Sequence, residues 1–206
     1  MRQALLLLCV LSASSLRAEI IDRIALRIGK AVVTESELRR QTLLSRFPFG
    51  DPRSITRTQM RETAERLVEL TLVRREMQLT RQPEPSVAEA AAALQELRRR
   101  MQLDEAQYQA ALARFRITED DLKQHLLLQI AVMRFINVRF RPAVQLAAGE
   151  LDEHLKKKYG DAVPPQAAVQ AAEEELIEQR VNEELDRWLQ QAKAQTYIEY
   201  HTGVMP

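Results

Sequence analysis

The chain has 206 residues, 46% hydrophobic, 29% charged and 5% aromatic, with 5 glycines and 8 prolines; that is enough for one domain, or two small ones, with a buried core. Thirty basic against 29 acidic side chains exclude a disordered polyelectrolyte and argue against a dedicated nucleic-acid binder, which carries a basic excess. Scarce glycine argues against Gly-rich phosphate loops and large β-sandwiches, while abundant Leu, Ala, Glu, Gln and Arg predict a mainly α fold.

Arg2 precedes an apolar run at residues 4–11, followed by small residues up to Ala18. A positive start, a short apolar middle and a small-residue end read as a secretory signal peptide over residues 1–18, with a cut after Ser15 as the alternative. The run falls short of the roughly 20 apolar residues that span a bilayer, so no stable membrane anchor is expected. Leu8 ahead of Cys9 is not the small residue that lipoprotein processing requires. Cleavage removes Cys9, the one cysteine, and with it any disulfide or thiol chemistry. Charge is uneven beyond that point: residues 19–147 hold 22 basic and 17 acidic side chains, and residues 148–206 hold 6 and 12.

Residues 20–28 place Ile24, Leu26 and Ile28 in alternation, as in a half-buried strand, and Gly29-Lys30 turns the chain so that Ala31-Val32-Val33 returns as a second strand. Thr34 and Glu37 are spaced as a capping box for a helix toward Arg46, which Phe47-Pro48-Phe49-Gly50-Asp51-Pro52 breaks. A long helix is expected over about residues 54–80, ended by Pro83 and Pro85. Ser86 with Glu89 caps a helix to about Met101, Asp104 caps another to about Phe115, and Thr118 with Asp121 opens a long one that Arg141-Pro142 closes. Leu122, Leu126, Ile130 and Met133 follow helical spacing along it.

A short helix at about residues 150–159 precedes a Gly- and Pro-containing break. A last long helix, from about residue 167 to 194, carries Ile177, Val181, Leu185, Trp188 and Ala192 on one side, with Trp188 read as a core anchor. The alternating Thr196-Tyr197-Ile198-Glu199-Tyr200 reads as a strand. A lone strand needs a partner, so it is expected to pair with the N-terminal hairpin and close the domain.

The chain has no GxGxxG, P-loop, GxSxG or HExxH. Asp121 with His125, and Glu150 with His154, have the i,i+4 spacing of a two-ligand metal site, but such pairs read first as solvated surface contacts. Arg98-Arg99-Arg100 and Lys156-Lys157-Lys158 sit at helix ends, where cations are favoured by the helix dipole and need no phosphate partner. No metal, cofactor or nucleic acid is expected.

The order of these features resembles a family. The stretch Ile21-Asp22-Arg23-Ile24-Ala25-Leu26, the turn, Val32-Val33-Thr34-Glu35-Ser36-Glu37 and the following helix are similar to the N-terminal region of the SurA family of periplasmic chaperones. Glu65-Arg66-Leu67-Val68, Leu72-Val73, the Ser86–Glu89 helix start, residues 131–140, and the tail from Trp188 to Ile198 extend the similarity over most of residues 20–200. The departure is the interval 160–170, too short for the parvulin prolyl-isomerase domain that such proteins commonly insert there. The resemblance thus implies residues 19–159 as a multi-helical peptide-binding domain and residues 171–206 as a helix and strand completing it, with a small β-sheet built from the hairpin and the C-terminal strand.

It also implies a periplasmic, ATP-independent holdase for unfolded outer-membrane or secreted polypeptides. No isomerase activity is expected, and homo-oligomerisation stays open. Phe47, Phe49, Met60, Met77, Met101 and Tyr108 are the candidate peptide-binding residues, because Met and aromatic side chains adapt to varied partners. The alternative is a non-chaperone periplasmic scaffold or assembly subunit reusing the fold; a prolyl isomerase ranks below both.

Overall fold

The computed structural model describes residues 22–160 and 162–201; the stretch read as a signal peptide lies outside them. The fold is mainly α, with seven α-helices and one small antiparallel sheet among the described residues. Strands β1 (Ile24–Ile28) and β2 (Ala31–Thr34) form the expected hairpin, and Gly29 takes φ +57° in its turn. Helices α1 (Glu35–Arg46), α2 (Arg57–Leu79), α3 (Val87–Met101), α4 (Glu105–Phe115) and α5 (Glu119–Arg139) follow. After a single 3-10 turn (Arg141–Ala143) come α6 (Glu150–Tyr159), α7 (Gln166–Ala194) and strand β3 (Ile198–Tyr200).

β3 pairs antiparallel with β1, giving the order β2-β1-β3. Leu26 faces Val33 on one side and Tyr200 on the other, and Ile28 lies between Ala31 and Ile198. The Gly29 amide also donates to the Tyr197 carbonyl at 2.7 Å, so the hairpin turn itself holds the incoming tail. Register shifts between Ile24 and Leu26, and Ala25 is buried beside Leu26 instead of alternating outward.

Side chains set most helix starts. Thr56/Gln59, Ser86/Glu89, Asp104/Gln107 and Thr118/Asp121 are complete reciprocal capping boxes. The Thr56 box starts α2 at Arg57, three residues later than expected. At Thr34 only half of the expected box forms: its Oγ1 accepts from the Glu37 amide at 3.3 Å, while the Glu37 carboxylate takes the Gln41 amide at 2.7 Å. α7 begins directly after Pro165, which presets φ for helix entry. Residues 166–170 are therefore helix, and the link between α6 and α7 is shorter than the sequence suggests.

Two separate cores hold these elements. The first joins the sheet, the start of α1, α2, the C-terminal half of α5 and α7 through Leu26, Leu38, Val68, Leu72, Phe135, Val181 and Leu189. The second joins the end of α1, α3, α4 and the start of α5 through Leu44, Leu94, Leu112, Phe115 and Leu122. Trp188 is half-buried, not a fully enclosed anchor: it packs on the first core beside Phe135 and Phe140, with ring centroids 6.2 and 6.1 Å away. Leu189, outside the expected stripe, is buried in its place. Ion pairs tie the periphery: Arg180–Glu150 at 2.8 Å and Lys158–Glu175 at 3.4 Å hold α6 to α7, and Arg40–Asp121 joins α1 to α5.

Candidate functional site

α5, like α1, contributes to both cores, and its composition makes its middle unusual. Leu126-Leu127-Leu128-Gln129-Ile130-Ala131-Val132-Met133 is apolar nearly all round, the pattern of a fully enclosed helix. Yet within α5 the buried residues are Leu122, Ala131 and Phe135. Each core covers one end of the helix, and the turns between them are left half-open.

The exposed surface lines a chain of clefts. One, of about 620 Å³, lies between α1, α2, α3 and α5 and is walled by Leu44, Phe47, Leu70, Leu97, Leu126 and Leu128, with Arg66 and His125 also lining it. A second, of about 740 Å³, runs between the β1–β2 hairpin and α2 past Val32, Val33, Leu67, Leu70 and Leu128. A third, of about 410 Å³, adds Met77, Leu127 and Ala131 beside Arg74, Gln78 and Arg81. Leu128 borders all three, Leu70 the first two, and Arg74 and Gln78 the last two. The three clefts are thus neighbours around Leu128, together a hollow with apolar walls and a polar margin in which cations outnumber carboxylates.

The candidates drawn from the sequence divide against this geometry. Phe47 is a wall of the first cleft, fixed edge-on against Phe115 (5.4 Å between centroids) and Tyr108 (6.3 Å). Met77 lines the third cleft. Tyr108, 1% exposed, and Met101, 5% exposed, belong to the second core behind the wall and offer no surface in this conformation. Met60 packs against the first core, and Phe49, 79% exposed, stands in the α1–α2 loop away from these clefts. The residues missed are Leu70, Leu126, Leu128, Val132 and Met133; for those on α5, the apolar run at 126–133, interrupted only by Gln129, was the available signal.

Electrostatics follow burial. His125 titrates below the ordinary histidine range because it is removed from water and then because Arg66 lies near; its Nε2 is 3.0 Å from the Gln129 amide nitrogen. The neutral imidazole is thus the favoured form in the cleft. Burial, with the nearby Glu119 carboxylate, pushes Tyr108 up to about 12. The basic runs are partly neutralised: Arg98 bonds Glu105 and lies 4.4 Å from the Tyr108 ring centroid, and Arg99 and Arg100 both reach Glu96. Of the two i,i+4 pairs, Asp121 is engaged by Arg40 and Thr118, and Glu150 by Arg180. Among the described residues no group of three or more His, Cys, Asp or Glu side chains is placed to hold a metal ion, and no helix is long and apolar enough to cross a membrane. No protein-family model matches the chain, and no curated protein matches it at a significant level.

Proposed function

We propose that this chain is an ATP-independent holdase, similar in kind to the SurA family, that binds unfolded outer-membrane or secreted polypeptides in the periplasm. The observation that carries the reading is the half-open apolar middle of α5, where Leu128 borders three neighbouring clefts. Leaving so much aliphatic surface uncovered forgoes roughly 25 cal/mol for each Å², and contiguous apolar surface of this kind marks an interaction site. Aliphatic walls suit varied apolar sequences, not one fixed ligand. A segment held by such contacts leaves by mass action when a better site captures it, so the cycle requires no nucleotide.

The N-terminal hairpin and first helix, the Ser86–Glu89 helix start and the C-terminal helix and strand add the family resemblance. The link from Gly160 to Pro165 is too short to hold a parvulin domain, so the reading gives the chain no isomerase step and no cofactor.

The test is light scattering of an outer-membrane β-barrel protein diluted from urea, with residues 19–206 added and no ATP. Suppression at near-stoichiometric ratios, extending to unrelated unfolded chains, supports the holdase. A folded sample that suppresses nothing, yet retains one stable folded partner in a pull-down, supports a scaffold instead.

A further inference from the structure

The cations of the hollow are sorted in a way its aliphatic walls do not require. Along α2, Arg66, Leu70, Arg74 and Gln78 recur every four residues and so share one helix face. That face spans roughly 18 Å at about 1.5 Å per residue, the length of five or six residues of extended chain. Arg75 and Lys30 flank it in the cleft beside the hairpin, and Arg81 flanks it in the cleft beyond Met77.

Acidic residues of the same helix are directed elsewhere. Glu65 pairs with Arg61 at 3.2 Å and Glu69 with Lys193 of α7 at 2.7 Å, while Glu76 borders the cleft beside Trp188, which shares Arg75 with the cleft beside the hairpin. Two carboxylates reach the hollow, Glu37 and Glu84, and Glu37 already accepts from Gln41.

Some cations of the molecule are neutralised by partners, and those of the hollow are not. Arg40, Arg98, Arg134, Arg141 and Arg180 each meet a carboxylate. Lys30, Arg66, Arg74, Arg75 and Arg81 have no ion pair among the described residues, although all five border the hollow. The result is a track on which Arg66 and Arg74, neither in an ion pair, bracket Leu70.

Resting on the holdase reading, we infer that the hollow selects extended polypeptide segments in which apolar residues alternate with Asp or Glu. The apolar residues fill the clefts around Leu70 and Leu128, and the carboxylates meet Arg66, Arg74 and their neighbours at the margin. Rim charges of this kind add modest affinity each but discriminate between partners and speed encounter. Segments rich in Lys or Arg are repelled, and salt weakens the discrimination while sparing the apolar contacts.

The test uses three fluorescein-labelled peptides of about ten residues that alternate Leu and Phe with Glu, Gln or Lys. They are titrated by anisotropy against residues 19–206 at low salt and at about 0.5 M salt. The Glu peptide is expected to bind about tenfold more tightly than the Gln peptide, and the Lys peptide most weakly. In a double variant, Arg66→Gln with Arg74→Gln, the Glu and Gln peptides should converge to within about twofold, with the Gln peptide unchanged. Both side chains are exposed, so the variant should fold, which its circular dichroism melt checks.

Equal affinity of the wild-type chain for the Glu and Gln peptides overturns the charge selection and leaves the holdase reading standing. A preference that survives the double variant overturns the assignment to this track. If none of the peptides binds, the inference falls, and a parallel aggregation assay decides whether the holdase reading falls with it. Sedimentation identifies the remaining case, a salt-sensitive dimer whose second copy covers the hollow; that result also overturns the inference.

Discussion

Leu122 and Phe135 lie on the same helix and are both buried, at 2% and 1% exposure, yet they belong to different cores. Leu122 packs among Leu44, Leu94, Tyr108 and Phe115, and Phe135 packs among the sheet, α2 and α7. One continuous helix therefore couples two hydrophobic clusters and spans the gap between them, which places the half-open turns around Leu128.

This coupling predicts one cooperative unfolding transition, in which damage to either cluster destabilises the whole. Leu122→Ala should cost about 2–5 kcal/mol and Phe135→Ala about 3–5 kcal/mol. In urea titrations followed by circular dichroism and by Trp188 fluorescence, both variants should shift the two curves together. Separate midpoints for the two probes would show that the cores unfold independently.

Trp188 packs on the first core without being enclosed by it. Trp188→Ala should therefore cost about 2 kcal/mol, below the roughly 3–5 kcal/mol of a fully enclosed aromatic. A change near zero by chemical denaturation would show that the indole contributes no packing.

Much of the fold was legible because its punctuation is local. Prolines at 83, 85 and 142 and the Ser86–Glu89 and Thr118–Asp121 boxes set boundaries that short-range hydrogen bonding then enforces. The pairing of β3 with β1 was legible because a lone strand leaves backbone groups unpaired. The site was less legible, since an apolar run states only that a helix prefers cover, and which turns receive it depends on distant elements. Helical spacing likewise gave no means of separating Met77, at the hollow, from Met101, in the core. Trp188, read as a core anchor, does pack on the first core, but how far it is enclosed was not legible for the same reason: α7 turns Leu189 inward and leaves the indole at the border.

Arg116 ends α4 with φ +54°, a left-handed conformation that a side chain disfavours. Its exposed side chain has no ion pair among the described residues. Arg116→Gly should stabilise the fold by about 1 kcal/mol, since glycine adopts this geometry without the Cβ penalty. Thermal denaturation checks it; a lower melting temperature would mean that the arginine contributes more than its backbone costs.

His125 binds its proton more weakly in the folded chain than at the ordinary value of 6.5, first through burial and then through Arg66. As pH falls, the unfolded chain takes up that proton before the folded one, so stability declines from about pH 7 until the folded-state pKa is passed. Carboxylates such as Glu89 and Glu150, held below 4.5 by their hydrogen bonds and arginine partners, add a separate loss only at more acidic pH. Urea midpoints between about pH 7.5 and 5 should therefore fall more steeply for the wild type than for His125→Gln. Parallel slopes would remove His125 as the source.

The most direct measurement of the central claim is photocrosslinking from benzoylphenylalanine placed singly at Leu128, at Leu70 and at the exposed Arg99, with an unfolded outer-membrane β-barrel protein as client. The account predicts strong adducts from positions 128 and 70 and little from 99, with all three proteins melting like the wild type. Adducts of equal strength from all three positions, or none from 128 and 70 while the chain still suppresses aggregation, would contradict it.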